Sequence, residues 1–116
     1  MSLDCTDPAA LAAFYGGLLG MRQVFASPDG GLVALSDGGV ALTMMRTPDH
    51  VAPTWPEPDR PQQVHLDVAV DDLDPAVARA VALGAREAGH QASPDAWRVL
   101  LDPAGHPFCL TTVVPD

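Results

Sequence analysis

The sequence predicts an α+β domain built from two βαβββ repeats, and three observations carry that expectation. The chain repeats itself. Asp7 to Gly20 reads DPAALAAFYGGLLG and is followed by Met21-Arg22, while Asp71 to Gly84 reads DDLDPAVARAVALG and is followed by Ala85-Arg86. Both segments run from an Asp through an Ala-rich helix to Leu-Gly-x-Arg, and an internal repeat of this kind decides architecture. Each copy also carries helix punctuation, with Asp-Pro at its start and Gly at its end. Finally, three short apolar runs separated by Gly-, Asp- and Pro-containing turns follow each helix.

Taken in order, Leu3–Thr6 is the first strand. Asp7 is placed to cap the first helix and Pro8 suits its first position. Leu11, Phe14, Tyr15 and Leu18 recur at helical spacing and form one buried stripe. Gly20 suits the residue just past the helix. Gly16-Gly17 weakens the helix by up to about 1 kcal/mol per glycine, so its last turn is expected to fray. Gln23–Ala26, Leu32–Ser36 and Val40–Met45 read as strands divided by PDGG and DGG turns. The stretch TPDHVAPTWPEPDRP, rich in Pro and without hydrophobic period, reads as a crossover rather than a domain boundary.

In the second copy Gln63–Val70 is a strand. Asp74-Pro75 opens the helix, Val77 and Val81 share a face, and Gly84 closes it. Arg86–His90, Trp97–Leu101 and Phe108–Val114 follow as strands, separated by SPD and DPAG turns. The expectation is one domain over residues 1–116, with repeat one at 1–46, the crossover at 47–62 and repeat two at 63–116. A four-stranded sheet with one helix buries only the helix-facing side. Pairing two such sheets gives a curved mixed eight-stranded sheet, helices outside, around a concave pocket that is the default ligand site.

Composition narrows the function classes. Fifteen acidic and six basic residues give a formal net charge of −9. That leaves no basic footprint for nucleic acid or for an anionic membrane surface. No apolar run is long enough to span a bilayer, and no secretory leader pattern opens the chain. Cys5 and Cys109 form no CxxC pair and are expected to stay reduced, which points to the cytoplasm. Neither a phosphate-cradling glycine loop nor a Gly-x-Ser-x-Gly elbow is present.

The chemistry concentrates in QQVHLDVAVD, residues 63–72. Strand alternation points Val64, Leu66, Val68 and Val70 one way and His65, Asp67 and Ala69 the other. His65 is the candidate catalytic residue. A histidine's ordinary pKa of about 6.5 suits a general base near neutrality, and the competing role is an inward polar residue held by a neighbour. Asp67 could orient His65 or hold a substrate hydroxyl, or it could be a solvated edge carboxylate. Cys109 reads as a small apolar residue of the cavity wall, because no Arg or Lys in its strand would activate it as a nucleophile. On alternation Ala41, Thr43 and Met45 share the cavity face, so Met45 joins the ligand-binding candidates. Trp97 opens a central strand, and Trp55 sits in the crossover, where it could lid the pocket or pack in a dimer. His106 belongs to a turn, and His50 and His90 read as surface.

The duplicated plan, together with DPAALAAFYGGLLGM, VHLDVAVDDLD and DPAGHPFCL, resembles the vicinal oxygen chelate superfamily. That superfamily contains glyoxalases, extradiol dioxygenases, fosfomycin-modifying enzymes and bleomycin-resistance proteins. The likeness is strongest to its small glyoxalase-like domains and spans essentially the whole chain. Metal enzymes of the superfamily hold one divalent ion on four His, Gln or Glu side chains, two from each repeat. The resemblance places one ligand at His65. A second falls at Cys109, seven residues after Asp102, where those enzymes have Glu. A third falls at Thr43 or Met45, and the fourth at Met1 or before it. Only His65 matches, as a remnant of the site. Asp67 stands about 6–7 Å along the strand from His65, which makes a shared ion geometrically strained.

The resemblance therefore implies a protein that binds a small, largely apolar molecule in the pocket between the two repeats, without the family metal. Its ligand contacts would come from His65, Asp67, Met45, Trp97 and Cys109. The alternative is a lyase, isomerase or dioxygenase with a degenerate divalent-metal site (Zn, Ni, Mn or Fe) around His65. The resemblance also implies a homodimer and no nucleic-acid or membrane partner.

Overall fold

The structure is a computed structural model that describes residues 1–113. The chain divides into two compact units, Met1–Val51 and Ala52–Asp116, whose boundary falls inside the expected crossover.

The first unit contains β1 (Ser2–Cys5), α1 (Pro8–Leu19), β2 (Arg22–Ala26), β3 (Leu32–Ser36) and β4 (Ala41–Arg46). Its sheet has the order β1-β4-β3-β2. β1 runs parallel to β4 and the remaining pairs are antiparallel. Asp7 caps α1 as expected, its Oδ1 accepting the Ala10 N–H at 3.1 Å. Leu11, Phe14 and Tyr15 are buried and Leu18 is half-buried. Phe14 and Tyr15 meet edge to face at 4.9 Å. The glycine pair does not shorten α1, which continues to Leu19 and ends at Gly20 with φ 68°. α1 lies on β3 and β4, so Val33, Leu35, Leu42 and Met44 are buried beneath it.

The second unit repeats the plan: β5 (Leu66–Ala69), α2 (Leu73–Leu83), β6 (Arg86–Glu87), β7 (Trp97–Leu101) and β8 (Pro107–Thr111). Its order β5-β8-β7-β6 is the same permutation, again with one parallel pair, β5 with β8. The α+β class and the two βαβββ repeats are thus as the sequence indicates. The eight strands fall into two hydrogen-bonded sheets of four, with no ladder joining them among the described residues.

Several local expectations need correction. β5 covers Leu66–Ala69 rather than Gln63–Val70, so His65 stands just before the strand. α2 starts at Leu73 after Asp72, two residues before the expected Pro75. Pro75 is accommodated at the third helical position because the N–H it lacks would have had no partner within the helix. The buried face of α2 is Leu73, Val77 and Ala80, while Val81 is 47% exposed. β6 is two residues long rather than five. The Gln91 side chain takes over the pairing with β7, donating to the Ala88 and Val99 carbonyls and accepting from the Val99 N–H at 2.8–2.9 Å. The last strand stops at Thr111, and the expected end at Val114 lies outside the described residues.

The DPAG turn before β8 is tightly determined. Buried Asp102 accepts from the Ala104 and His106 N–H groups through Oδ1. Gly105 adopts φ 90°, and a Cβ added there would collide with the Ala52 Cβ. Conformation and space both require glycine at this position.

Candidate functional site

The sheet of the second unit has one face turned to α2 and one turned away. Leu100, Phe108 and Leu110 fill the helix side and are fully buried. The opposite face carries two rows of side chains set by strand register. Asp67 stands opposite Cys109, which stands opposite Val99, and Thr111 stands between Ala69 and Trp97. These rows floor a cavity of about 610 Å³. Trp55 contributes from the crossover, His90 and Ala92 from the loop after β6, and His65 from just before β5. Every lining residue belongs to the second unit.

Polar atoms gather at one place on this wall. His65 Nδ1 lies 3.0 Å from Gln62 Oε1. In the tautomer whose Nδ1–H donates to that amide oxygen, Nε2 presents its lone pair. Cys109 Sγ lies 3.0 Å from that Nε2. Burial first, and the Asp67 charge second, push the Cys109 thiol up to about 11. It therefore stays protonated near neutrality and donates to Nε2. Asp67 Oδ1 approaches the same nitrogen at 3.5 Å. The spacing expected along the strand does not keep the two side chains apart. Both project from the same face and converge at their tips, so all three donor atoms lie within 4.8 Å of one another.

Apart from Thr111, whose hydroxyl donates to the Ala96 carbonyl, the rest of the wall is apolar or aromatic. Trp55 and His90 meet edge to face at 6.0 Å. The Trp55 loop is closed by the Thr54 N–H donating to the Arg60 carbonyl and the Arg60 N–H donating to Thr54 Oγ1, both at 2.8 Å. The His90 loop is held by the Gln91 amide described above. Of the ligand contacts expected from the sequence, His65, Asp67, Trp97 and Cys109 line this cavity. Met45 does not. It lies 40% exposed on the first unit's sheet, alternating with buried Leu42 and Met44. His90 is exposed, as a surface residue would be, yet it lines the cavity. The missing signal was the early end of β6, because a side-chain amide standing in for a strand leaves no periodic trace.

Strand register also corrects the expected metal positions. Asp4 pairs with Met45 as Asp67 pairs with Cys109, so the first-unit counterpart of His65 is Ser2 rather than Met1. The four positions then hold Ser2, Met45, His65 and Cys109. A hydroxyl, a thioether and a thiol do not suit a hard divalent ion, and the superfamily's four-ligand site does not fit this chain. His65, Asp67 and Cys109 do offer an N, O, S set suited to a more thiophilic ion such as Zn²⁺.

Comparison with known proteins agrees with this geometry. Residues 1–111 match the glyoxalase-like domain family. No curated protein matches the sequence. Among solved structures, a glyoxalase/bleomycin resistance protein/dioxygenase family enzyme from Burkholderia phytofirmans is 20% identical with a TM-score of 0.74, over 98% of this chain and 96% of that one. The fosfomycin resistance protein FosX from Mesorhizobium loti is 18% identical, with a TM-score of 0.73 over 98% and 89%. A variant of FosX from Listeria monocytogenes, complexed with Mn(II) and dihydroxypropylphosphonic acid, is 15% identical, with a TM-score of 0.72 over 97% and 86%. At these identities the structures speak to the fold. With the match over residues 1–111 and the paired βαβββ units, the chain belongs to the glyoxalase-like domain family of the vicinal oxygen chelate superfamily.

Proposed function

We propose that this chain binds a small, largely apolar molecule in the cavity of its second unit, without the four-ligand metal of its superfamily. The molecule's polar end would meet His65, Asp67 and Cys109. The observation that carries the reading is the composition of the wall: Trp55, Trp97, Val99 and two alanines around a single polar cluster. The Listeria relative was captured with a phosphonate. Here no arginine lines the cavity among the described residues, so an anion of that kind would find no guanidinium there. Thermal denaturation against a panel of small aromatic and aliphatic compounds tests the proposal. A ligand at 100 times its Kd adds about 2.7 kcal/mol to stability, which raises the Tm of the native chain by several degrees, and Trp97→Ala should shrink that rise. A panel with no stabilising compound contradicts the reading.

A second reading is favoured by one observation, the convergence of three donor atoms within 4.8 Å. In it His65, Asp67 and Cys109 would hold a divalent ion, which when bound supplies Lewis-acid chemistry to a lyase, isomerase or dioxygenase. Metal analysis of protein purified without chelator separates the readings. Stoichiometric metal that His65→Ala abolishes would establish the second and remove the metal-free clause of the first.

The reading extends to a cytoplasmic homodimer. Both cysteines are free thiols. The edge strand β2 is exposed throughout, with Val24 at 57% and Phe25 at 53%, a composition that an edge-to-edge contact would cover. Light scattering should give twice the mass of the 116-residue chain, and Phe25→Lys should shift it toward the monomer.

A further inference from the structure

We infer that the cavity of the second unit selects a protonated amine carried on an aromatic or apolar body. This rests on the ligand-binding reading above and specifies the ligand's charge. The cluster at the polar end is rich in acceptors. Asp67 offers a carboxylate, and His65, in the tautomer that donates from Nδ1 to Gln62, offers the Nε2 lone pair. The Cys109 thiol, its present partner, is the weaker hydrogen-bond donor. An ammonium N–H would displace that thiol from Nε2 and donate to the Asp67 oxygen 3.5 Å away.

The charge balance of the wall points the same way. Asp67 is the only Asp, Glu, Lys or Arg among the described lining residues. The chain's six basic residues are all arginines, and none of them belongs to that lining. The net charge of −9 adds a field that concentrates cations. The body of the ligand then meets Trp55 and Trp97, whose indole faces attract both apolar surface and positive charge. A carboxylate or phosphonate would find no cationic Lys or Arg on the described wall and would face the Asp67 charge.

Calorimetric titration with three probes of one shape tests the inference: phenylpropylamine, phenylpropanol and phenylpropionate, at neutral pH with chelator present so that no metal contributes. The ammonium should bind about tenfold more tightly than the alcohol, and the carboxylate more weakly than either. In Asp67→Asn, whose side chain is largely exposed in the parent and so should not disturb folding, the ammonium should lose its advantage over the alcohol, the ratio of the two affinities falling to about one. Equal binding of ammonium and alcohol, tightest binding of the carboxylate, or an ammonium preference that survives Asp67→Asn would each overturn the inference and leave the cavity reading standing. Failure of all three probes to bind would remove both.

Discussion

Cys109 shows how the site governs a single side chain. It is 6% exposed, its thiol faces His65 Nε2, and burial together with the Asp67 charge raises it to about 11. Alkylation by iodoacetamide, mapped by mass spectrometry to separate Cys109 from Cys5, should therefore be slow at neutral pH. Its rate should climb about tenfold per pH unit beyond pH 9, because the thiolate is the reacting species. A plateau near pH 9 would show an ordinary thiol. Asp67→Asn removes the Coulombic part of the rise and should speed the reaction at pH 9. At this scale the sequence was informative about residue type and face, since alternation alone put His65 and Asp67 on one side. It was silent on reach. Two side chains on one face of a strand can lean together, and only coordinates show that these two do.

Elements are held by a few irregular contacts. Gly105 sits at φ 90° against Ala52, so Gly105→Ala meets both a left-handed backbone and a clash. It should cost about 1–3 kcal/mol in denaturant unfolding; a neutral result would mean the turn relaxes freely. Gln91→Ala strips three hydrogen bonds from the loop that presents His90 and leaves the N–H of buried Val99 unpartnered. A loss of about 1–3 kcal/mol is expected. The elements best foreseen were those with capping chemistry and clean period. α1 has Asp7, Pro8 and an unbroken stripe, and β3 and β7 begin and end where their apolar runs do. Among the elements misjudged, β5 starts three residues after its alternating run does, and at two others a side chain replaced a regular feature or a proline sat inside the first turn. Gln91 substitutes for the far half of β6, and α2 starts ahead of its proline.

For the whole molecule, the repeat was legible because each unit must solve the same packing problem, one helix over one four-stranded sheet in the order β1-β4-β3-β2 or its counterpart. The chemistry was less legible because divergence between the repeats falls on the open faces. Ser2 and Met45 stand in the first unit where His65 and Cys109 stand in the second. If the second unit's cavity is the binding site, the chain carries its own reporters for it. It has two tryptophans, and both line that cavity. The most direct measurement is a proton–nitrogen correlation spectrum of the labelled protein during titration with a compound from the stabilising panel. Both indole N–H signals should shift in a saturable, concentration-dependent way and share one Kd. Saturable binding by calorimetry with both indole signals unmoved would place the ligand elsewhere and contradict the account.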